Sequence, residues 1–392
     1  MKKISIGLVV IMMLSLLLTG CSDEEKPVAV NSPKVIKIGV LEPLTGADAA
    51  GGELEKMGID LAHELYPTVT IDGKKIPIEL EYADNKSDKQ ESVNGAKSLV
   101  NKYKADMVIG SWGSANSIAA GAVFREAEVP AIGASCTNSL VTLGNDYYFR
   151  VCFVDSFQGA VMANYAFQEG KYQKIGIIQE TASAYSVPLA EVFSDTFKKL
   201  TQNEDCITSV ENYNGGDQDF RAQLLAIRNS GAEAIFCPGD FTESALIMKQ
   251  ARELGIRIPF LGTDTWETPT VIEVAGLAAE GAVYSSFYDP QAPLTEMTAT
   301  FLDAFAAKYG KEELAAGVTA CGFDAYLLAI QTIEKAGTVD GPTLRDTLAK
   351  TENFEGATGF ITLDENGDAI KPAVLKGIEG GKFVYKSFVE PF

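Results

Sequence analysis

The sequence predicts an α/β protein with two lobes, each built on a mainly parallel sheet. Short β-rich runs alternate with helical stretches from residue 35 to about residue 132, and the same alternation starts again after Asp155. Repeated β–α units imply parallel strands that are covered by helices. About 360 residues follow the first thirty, which is large for one hydrophobic core and comfortable for two.

The individual elements follow from hydrophobic periodicity and from turn residues. The stretch 87–103, for example, carries Val93, Ala96 and Leu99 on one helical face, and Gly255 directly after a helix is typical of a left-handed cap. The first series has strands at 35–41, 76–82, 107–110 and 129–132 and helices at 54–65, 87–103 and 117–126. The second has strands at 174–179, 207–211, 234–237 and 259–261 and helices at 157–167, 187–200, 220–228 and 243–254. The C-terminal part has helices at 301–309, 325–335 and 343–350 and strands at 360–363, 373–378 and 383–388, with a hairpin turn at 364–368.

The N-terminal segment has the features of an export signal. Lys2 and Lys3 precede an almost wholly apolar run, and Leu18-Thr19-Gly20 place small residues before Cys21. This end resembles the bacterial lipobox, which implies that residues 1–20 are a lipoprotein signal peptide and that Cys21 becomes lipidated. Residues 21–34 are polar and proline-containing, and we expect a flexible tether. The alternative is an ordinary membrane anchor with an accidental cysteine.

Composition argues against several classes of function. The chain has 53 acidic and 33 basic residues, a net charge of −20, so nucleic-acid binding is disfavoured. His63 is the only histidine, and phosphate-loop, dinucleotide and nucleophile-elbow motifs are absent, so we expect no metal, no cofactor and no catalytic residues. We expect His63 on the surface. Cys136, Cys152, Cys206, Cys237 and Cys321 lack C-x-x-C spacing; mostly buried thiols are expected, in a pairing that the sequence leaves open.

Three loops that follow predicted strands are rich in small polar residues. They are Ser111-Trp-Gly-Ser-Ala-Asn-Ser117, Gly133-Ala-Ser-Cys-Thr-Asn138 and Thr181-Ala-Ser-Ala-Tyr185. In parallel sheets, ligands bind beyond the carboxyl ends of strands, where loops lead into helix N-termini. Backbone N–H groups and hydroxyls at such positions suit a carboxylate. Plain helix capping explains any one of these loops equally well.

An ordered set of segments resembles a known family. The segments IKIGVLEPLTG (36–46), VIGSWGSANS, VPAIGASCTNS, FRVCFVDSFQG (149–159) and RIPFLGTD (257–264) are similar to the leucine/isoleucine/valine-type binding proteins of ABC transporters. The resemblance implies the type I periplasmic binding protein fold, with two Rossmann-like lobes joined by three crossovers. Lobe 1 would comprise 35–153 plus 287–358, and lobe 2 would comprise 154–286 plus 359–392.

The resemblance also implies a ligand site. It places the carboxylate contact on Ser114, the next loop's contacts on Ser135 and Thr137, an aromatic on Tyr185 and the acceptor of the α-ammonium on Asp264. A zwitterion needs donors for its carboxylate and an anion for its ammonium. Helix capping, core packing and an exposed turn carboxylate are the alternatives for these residues.

Two positions depart from the family pattern. Ala50-Gly51-Gly52 stand where the family has an aromatic residue, and Asp240 stands where it has a second tyrosine. A more open pocket with an extra anion suggests a polar, basic or larger ligand. Trp112 and Trp266 lie beside the candidate loops and are expected as pocket walls or as core packing.

The resemblance implies an extracytoplasmic solute-binding lipoprotein. It would capture an amino acid or related compound between closing lobes, deliver it to an ABC permease, and attach to the membrane through Cys21. A ligand-sensing protein without a transport role is the alternative, and an enzyme is the least favoured interpretation.

Overall fold

The computed structural model describes residues 33–391. The predicted signal peptide and the lipidation site at Cys21 lie outside these residues. Within the described part of the chain, no helix is both long and apolar enough to cross a bilayer.

The first lobe is built on a six-stranded sheet in the order β2-β3-β1-β4-β5-β6. All pairs are parallel except the antiparallel hairpin of β2 and β3. Strand β1 lies between β3 and β4, so the connections after β1 and β4 run to opposite sides of the sheet and leave a crevice at its carboxyl edge. The strands are β1 Ile36–Glu42, β2 Thr68–Ile71, β3 Lys74–Asp84, β4 Met107–Ile109, β5 Ala131–Gly133 and β6 Tyr148–Arg150.

The second lobe is built on a seven-stranded sheet in the order β16-β15-β11-β10-β9-β7-β8. Strands β7 to β11 are parallel, and β15 and β16 add an antiparallel edge. Strand β7 lies between β8 and β9, which gives this sheet a crevice of the same kind. The strands are β7 Ile175–Glu180, β8 Ile207–Tyr213, β9 Ala234–Phe236, β10 Phe260–Gly262, β11 Val283–Ser286, β15 Ala373–Glu379 and β16 Lys382–Val389.

A small antiparallel sheet, β12-β13-β14, precedes β15. It comprises β12 Phe354–Gly356, β13 Gly359–Leu363 and β14 Ala369–Ile370. The predicted turn at 364–368 joins β13 to β14, and the amide of Asp364 donates to the carbonyl of Asp368. The Asp368 carboxylate lies 2.7 Å from Nε of the buried Arg150 at the end of β6. This ion pair ties the small sheet to the first lobe.

Eleven α-helices are present in the described residues. Helices α1 and α10 approach so closely that a Cβ on Gly58 would lie 1.8 Å from the carbonyl oxygen of Thr319. Only glycine fits there. The helices are α1 Ala49–Leu65, α2 Lys89–Ser98, α3 Ser114–Glu126, α4 Asp155–Gln168, α5 Ser186–Thr201, α6 Arg221–Ser230, α7 Phe241–Glu253, α8 Pro269–Ala275, α9 Glu296–Tyr309, α10 Gly317–Ala336 and α11 Gly341–Leu348.

The predicted fold class is confirmed, and the differences are local. Strand β2 was not predicted, although the Asp72-Gly73 turn after it, with φ of 51° and 73°, is a common hairpin signal. The helix expected over 87–103 ends as α2 at Ser98 and continues as one π-helical turn, Leu99–Tyr103. Gly255 has the expected left-handed conformation, with φ of 75°. The lobe boundaries named above remain predictions.

The histidine and the cysteines were expected to differ in burial. His63 was expected on the surface, but it is half-buried, and Nδ1 lies 2.9 Å from the hydroxyl of Tyr326, because the facing helix α10 covers this side of α1. The five cysteines at 136, 152, 206, 237 and 321 are buried and unpaired in the described chain. Buried thiols were the expected outcome.

Candidate functional site

A cavity of about 480 Å³ lies between the carboxyl edges of the two large sheets. Its walls come from the loops after β1, β4 and β5 on one side and after β7, β9 and β10 on the other. Both crevices described above therefore face the same space. A volume of a few hundred Å³ suits a small organic ligand.

Ser114 and the start of α3 form one wall of the cavity. Ser114, Ala115 and Asn116 line it, and the first N–H groups of a helix have no partner within the helix. Ser114 is buried, and its Oγ accepts a hydrogen bond of 3.1 Å from the amide of Asn138. Because the Ser114 oxygen acts as the acceptor here, its hydroxyl proton is free to be donated to another group. Together with the first N–H groups of α3, it gives this wall several hydrogen-bond donors that suit an anionic group.

Ser135, in the loop after β5, also lines the cavity, and its hydroxyl donates to the carboxyl group of Glu55. Glu55 lies on α1 and is fully buried beside Glu42, the last residue of β1. Burial raises the pKa of Glu55 to about 8. The hydrogen bond to this buried glutamate positions the hydroxyl of Ser135.

Asp264 lies directly beyond β10 and is 3% exposed, where the sequence left an exposed turn as the alternative. Its Oδ1 accepts hydrogen bonds from the Tyr185 hydroxyl, at 2.8 Å, and from the side-chain amide nitrogen Nε2 of Gln158. Oδ2 accepts none from any other described side chain. Burial raises the pKa of Asp264 to about 6, against the effect of these two hydrogen bonds. A second charge-assisted bond at Oδ2 is available to a ligand.

Thr137 is the predicted site residue that does not line the cavity. It is 1% exposed, and its carbonyl accepts a hydrogen bond of 3.0 Å from the amide of Asp155. Burial raises the pKa of Asp155 to about 7, and the Thr137 hydroxyl lowers it. Because β5 ends at Gly133, the chain has turned behind the wall by residue 137.

Trp112 lines the cavity and Trp266 does not. The Trp112 ring packs against Gly51, where a Cβ would come within 2.5 Å of it, and makes an edge contact with Phe241 from the opposite lobe. The indole of Trp112, from the loop after β4, therefore fills the space that Ala50-Gly51-Gly52 leave without an aromatic side chain. The more open pocket expected at this point is not observed. Trp266 is fully buried against Gly262 as core packing.

Asp240 lines the cavity together with three carboxylates that the sequence did not single out. These four residues, the acidic cluster, are Asp48 from the loop after β1, Glu180 at the end of β7, Asp240 after β9 and Glu243 in the first turn of α7. Burial raises the pKa of Asp48 to about 6 and that of Glu180 to about 7, and it raises the pKa of Asp240 well above its usual range. Neighbouring carboxylates add to each of these shifts.

A family model described as periplasmic binding protein matches residues 35–382. The chain is a periplasmic binding protein. A relative from Brucella melitensis, named Leu/Ile/Val-binding protein homolog 3, is 28% identical over 343 residues, which cover 86% of this chain and 89% of the relative.

Solved structures of other binding proteins resemble the whole described body. The leucine binding protein LivK from Thermotoga maritima is 35% identical, with a TM-score of 0.85 and coverage of 91% of this chain and 99% of that one. The branched-chain amino acid protein LivJ from Streptococcus pneumoniae, in complex with isoleucine, is 31% identical, with a TM-score of 0.83 and coverage of 91% and 100%. These likenesses support the type I periplasmic binding protein fold.

The cavity of this periplasmic binding protein is thus lined by Ser114, Ser135, Tyr185, Asp264, Asp240 and Trp112 of the predicted set, and their role in binding remains a prediction. Sequence reasoning missed Asp48, Glu180 and Glu243 in the wall and Glu55 and Gln158 behind it. Glu180 could have been predicted from its place in the sequence, because it is the last residue of a strand that leads into a polar loop. Glu55 and Gln158 lie within helices, where no local pattern separates a buried polar residue from an exposed one.

Proposed function

We propose that this protein captures an amino acid or a related small zwitterion between its two lobes, outside the cytoplasm, and delivers it to an ABC permease. One observation carries the proposal. A single cavity combines the donors of Ser114 and the α3 N-terminus with the Asp264 carboxylate, whose Oδ2 accepts no hydrogen bond from another described side chain. Opposite groups in one cavity match the two charges of a zwitterion.

Relatives support this assignment. The Streptococcus pneumoniae protein holds isoleucine in a fold with a TM-score of 0.83, and the Pseudomonas aeruginosa relative, 33% identical over 62% of this chain, is named an amino acid binding protein. Each name describes that relative. For the present chain, we propose that Ser114, Ser135, Tyr185 and Asp264 contact the ligand. Thr137 would act indirectly, through its backbone behind the cavity wall.

Closure of the lobes would follow from this geometry. Asn138 already donates a hydrogen bond of 2.5 Å to the carbonyl of Ala184 across the cleft, and Trp112 meets Phe241. A ligand that contacts both walls binds the closed form preferentially and shifts the population towards it.

Lipid attachment at Cys21 completes the proposal. It relies on the sequence at 18–21 alone. Radiolabelled palmitate should enter the wild-type protein in cells and should not enter Cys21→Ser. Labelling that persists in the variant would contradict the assignment.

The binding proposal is tested by calorimetry with a panel of the common amino acids on protein freed of carried-over ligand. We expect at least one amino acid to bind, with loss of binding in Asp264→Asn. Asp303→Asn, on the exposed face of α9, is the matched control. If no amino acid binds the wild type, the proposal fails. Binding without any role in cellular uptake would instead favour a ligand-sensing protein.

A further inference from the structure

The acidic cluster is brought together from both lobes. Asp48 belongs to the first lobe, whereas Glu180, Asp240 and Glu243 belong to the second. All four side chains are partly buried in the cavity wall. Lys89 is the only base among the described residues that line this cavity, and it is exposed and forms no ion pair within 4.0 Å.

These carboxylates have few partners in the protein. Glu243 Oε1 accepts a hydrogen bond of 2.9 Å from the amide of Gly216. The carboxylates of Asp48, Glu180 and Asp240 accept none from other described residues. Like charges that face one another in a partly desolvated cleft repel, and removal of the remaining water on closure increases the cost. A neutral aliphatic side chain would leave these charges uncompensated.

The cluster does not form a metal site. Among residues 33–391, no group of three or more His, Cys, Asp or Glu side chains is arranged to hold a metal ion. The carboxylates instead share the cavity wall with the rings of Trp112 and Phe241. Aromatic rings beside carboxylates suit the methylene stem of an organic cation and can attract its charged end.

The cluster is also continuous with the amino-acid site. It lines the same cavity as Asp264, which is almost fully buried and keeps Oδ2 without a donor from another side chain. The negative charge of Asp264 is among those that act on Asp240. A ligand whose α-ammonium meets Asp264 would therefore extend its side chain along a wall of further carboxylates.

We propose that the ligand carries a second cationic group, an ammonium, guanidinium or amidinium at the end of its side chain, which Asp240, Glu180 and Asp48 bind together. This assignment rests on the amino-acid site proposed above. The ligand class is thus a basic amino acid or a close analogue. The same carboxylates would exclude leucine-like side chains, because a neutral group cannot offset their repulsion.

Calorimetry at pH 8 tests the assignment with matched probes. L-Arginine and L-citrulline have nearly the same shape and differ in the charge of the side chain, and L-lysine and L-norleucine form a second pair. We expect arginine or lysine to bind about 100-fold or more tightly than its neutral counterpart, as is typical of a buried charge pair.

Two variants show where the preference originates. Asp240→Asn and Glu180→Gln should reduce the preference for the cationic member of the pair at least about tenfold. The variants should bind the cationic member more weakly, and they should bind the neutral member as tightly as the wild type or more tightly, because the repulsion is relieved. Asp303→Asn should change neither. A wild type that binds neutral amino acids as tightly as both cationic ones would overturn this assignment and leave the amino-acid site standing. Absence of binding to every amino acid would overturn both.

Discussion

Two neighbouring regions of one cavity differ in whether the protein donates hydrogen bonds to their carboxylates. At the proposed head-group site, formed by Ser114, Ser135, Tyr185 and Asp264, the single acid accepts hydrogen bonds from Tyr185 and Gln158. In the acidic cluster, three of four acids have no donor from the protein. The first region is prepared in advance for one group in one position, whereas the second is left for a ligand to neutralise. We infer that the head-group site fixes orientation and the acidic cluster selects the side chain.

The largest expected effect is loss of the Asp264 charge. Asp264→Asn should weaken binding of the panel's tightest amino acid by about two to three decades or more, because removing one partner of a buried ion pair costs roughly 3–5 kcal/mol. The melting temperature of the ligand-free variant should stay close to that of the wild type. Calorimetry and thermal denaturation measure the two quantities, and a loss of affinity below about threefold would refute the role of Asp264.

A smaller loss is expected at the opposite wall. Ser114→Ala removes a hydroxyl that can reach the ligand's carboxylate, and a hydrogen bond to a charged group contributes about 1.5–3 kcal/mol, or roughly 10- to 100-fold in affinity. Titration with the same amino acid measures the loss. An equal loss for agmatine, which is arginine without the carboxylate, would show that Ser114 acts on the fold and not on that group.

Acid should weaken the preference for a cationic side chain. The pKa of Asp48 is about 6 and that of Glu180 about 7, so both gain protons as the pH falls from 8 to 5, and a proton competes with the ligand's cation. The pKa of Asp264 is about 6, so this residue also gains a proton between pH 8 and pH 5. Its protonation should weaken the binding of all amino acids, cationic and neutral alike. The ratio of arginine to citrulline affinity should therefore fall several-fold, and a constant ratio would exclude a contribution from the acidic cluster.

The smallest effect concerns the stability of the ligand-free protein. The folded-state pKa values of Asp48 and Glu180 lie above the usual value of about 4 for an unfolded chain, so the folded state holds more protons and loses stability as the pH rises from about 4 to about 7. Asp240→Asn relieves the repulsion and should raise the melting temperature by a few degrees at pH 8 and less at pH 5. Thermal denaturation of this variant and of the control Asp303→Asn measures the change in melting temperature. An increase that is equal at both pH values would indicate a change in packing and not the loss of charge repulsion.

The sequence predicted most of the frame and part of the site. Strands such as β4 and β7 carry short apolar runs that lead into polar loops, so both the α/β class and the loops around Ser114 and Tyr185 follow from local patterns. Asp240 and Asp264 were found through resemblance to a family. Trp112 was left open between wall and core, and its packing against Gly51 could not be predicted because these residues are 61 positions apart.

The alternation of strands and helices by itself determined that the chain forms two α/β lobes with ligand loops at the carboxyl edges of the strands. The tertiary structure alone decided that Asp48 of one lobe faces Glu180, Asp240 and Glu243 of the other. The physical reason is that periodicity reports which face of an element is buried, whereas the neighbours across a cleft depend on strand order and on how two sheets meet. The charge of the cavity, and with it the proposed class of ligand, is therefore a property of the assembled fold.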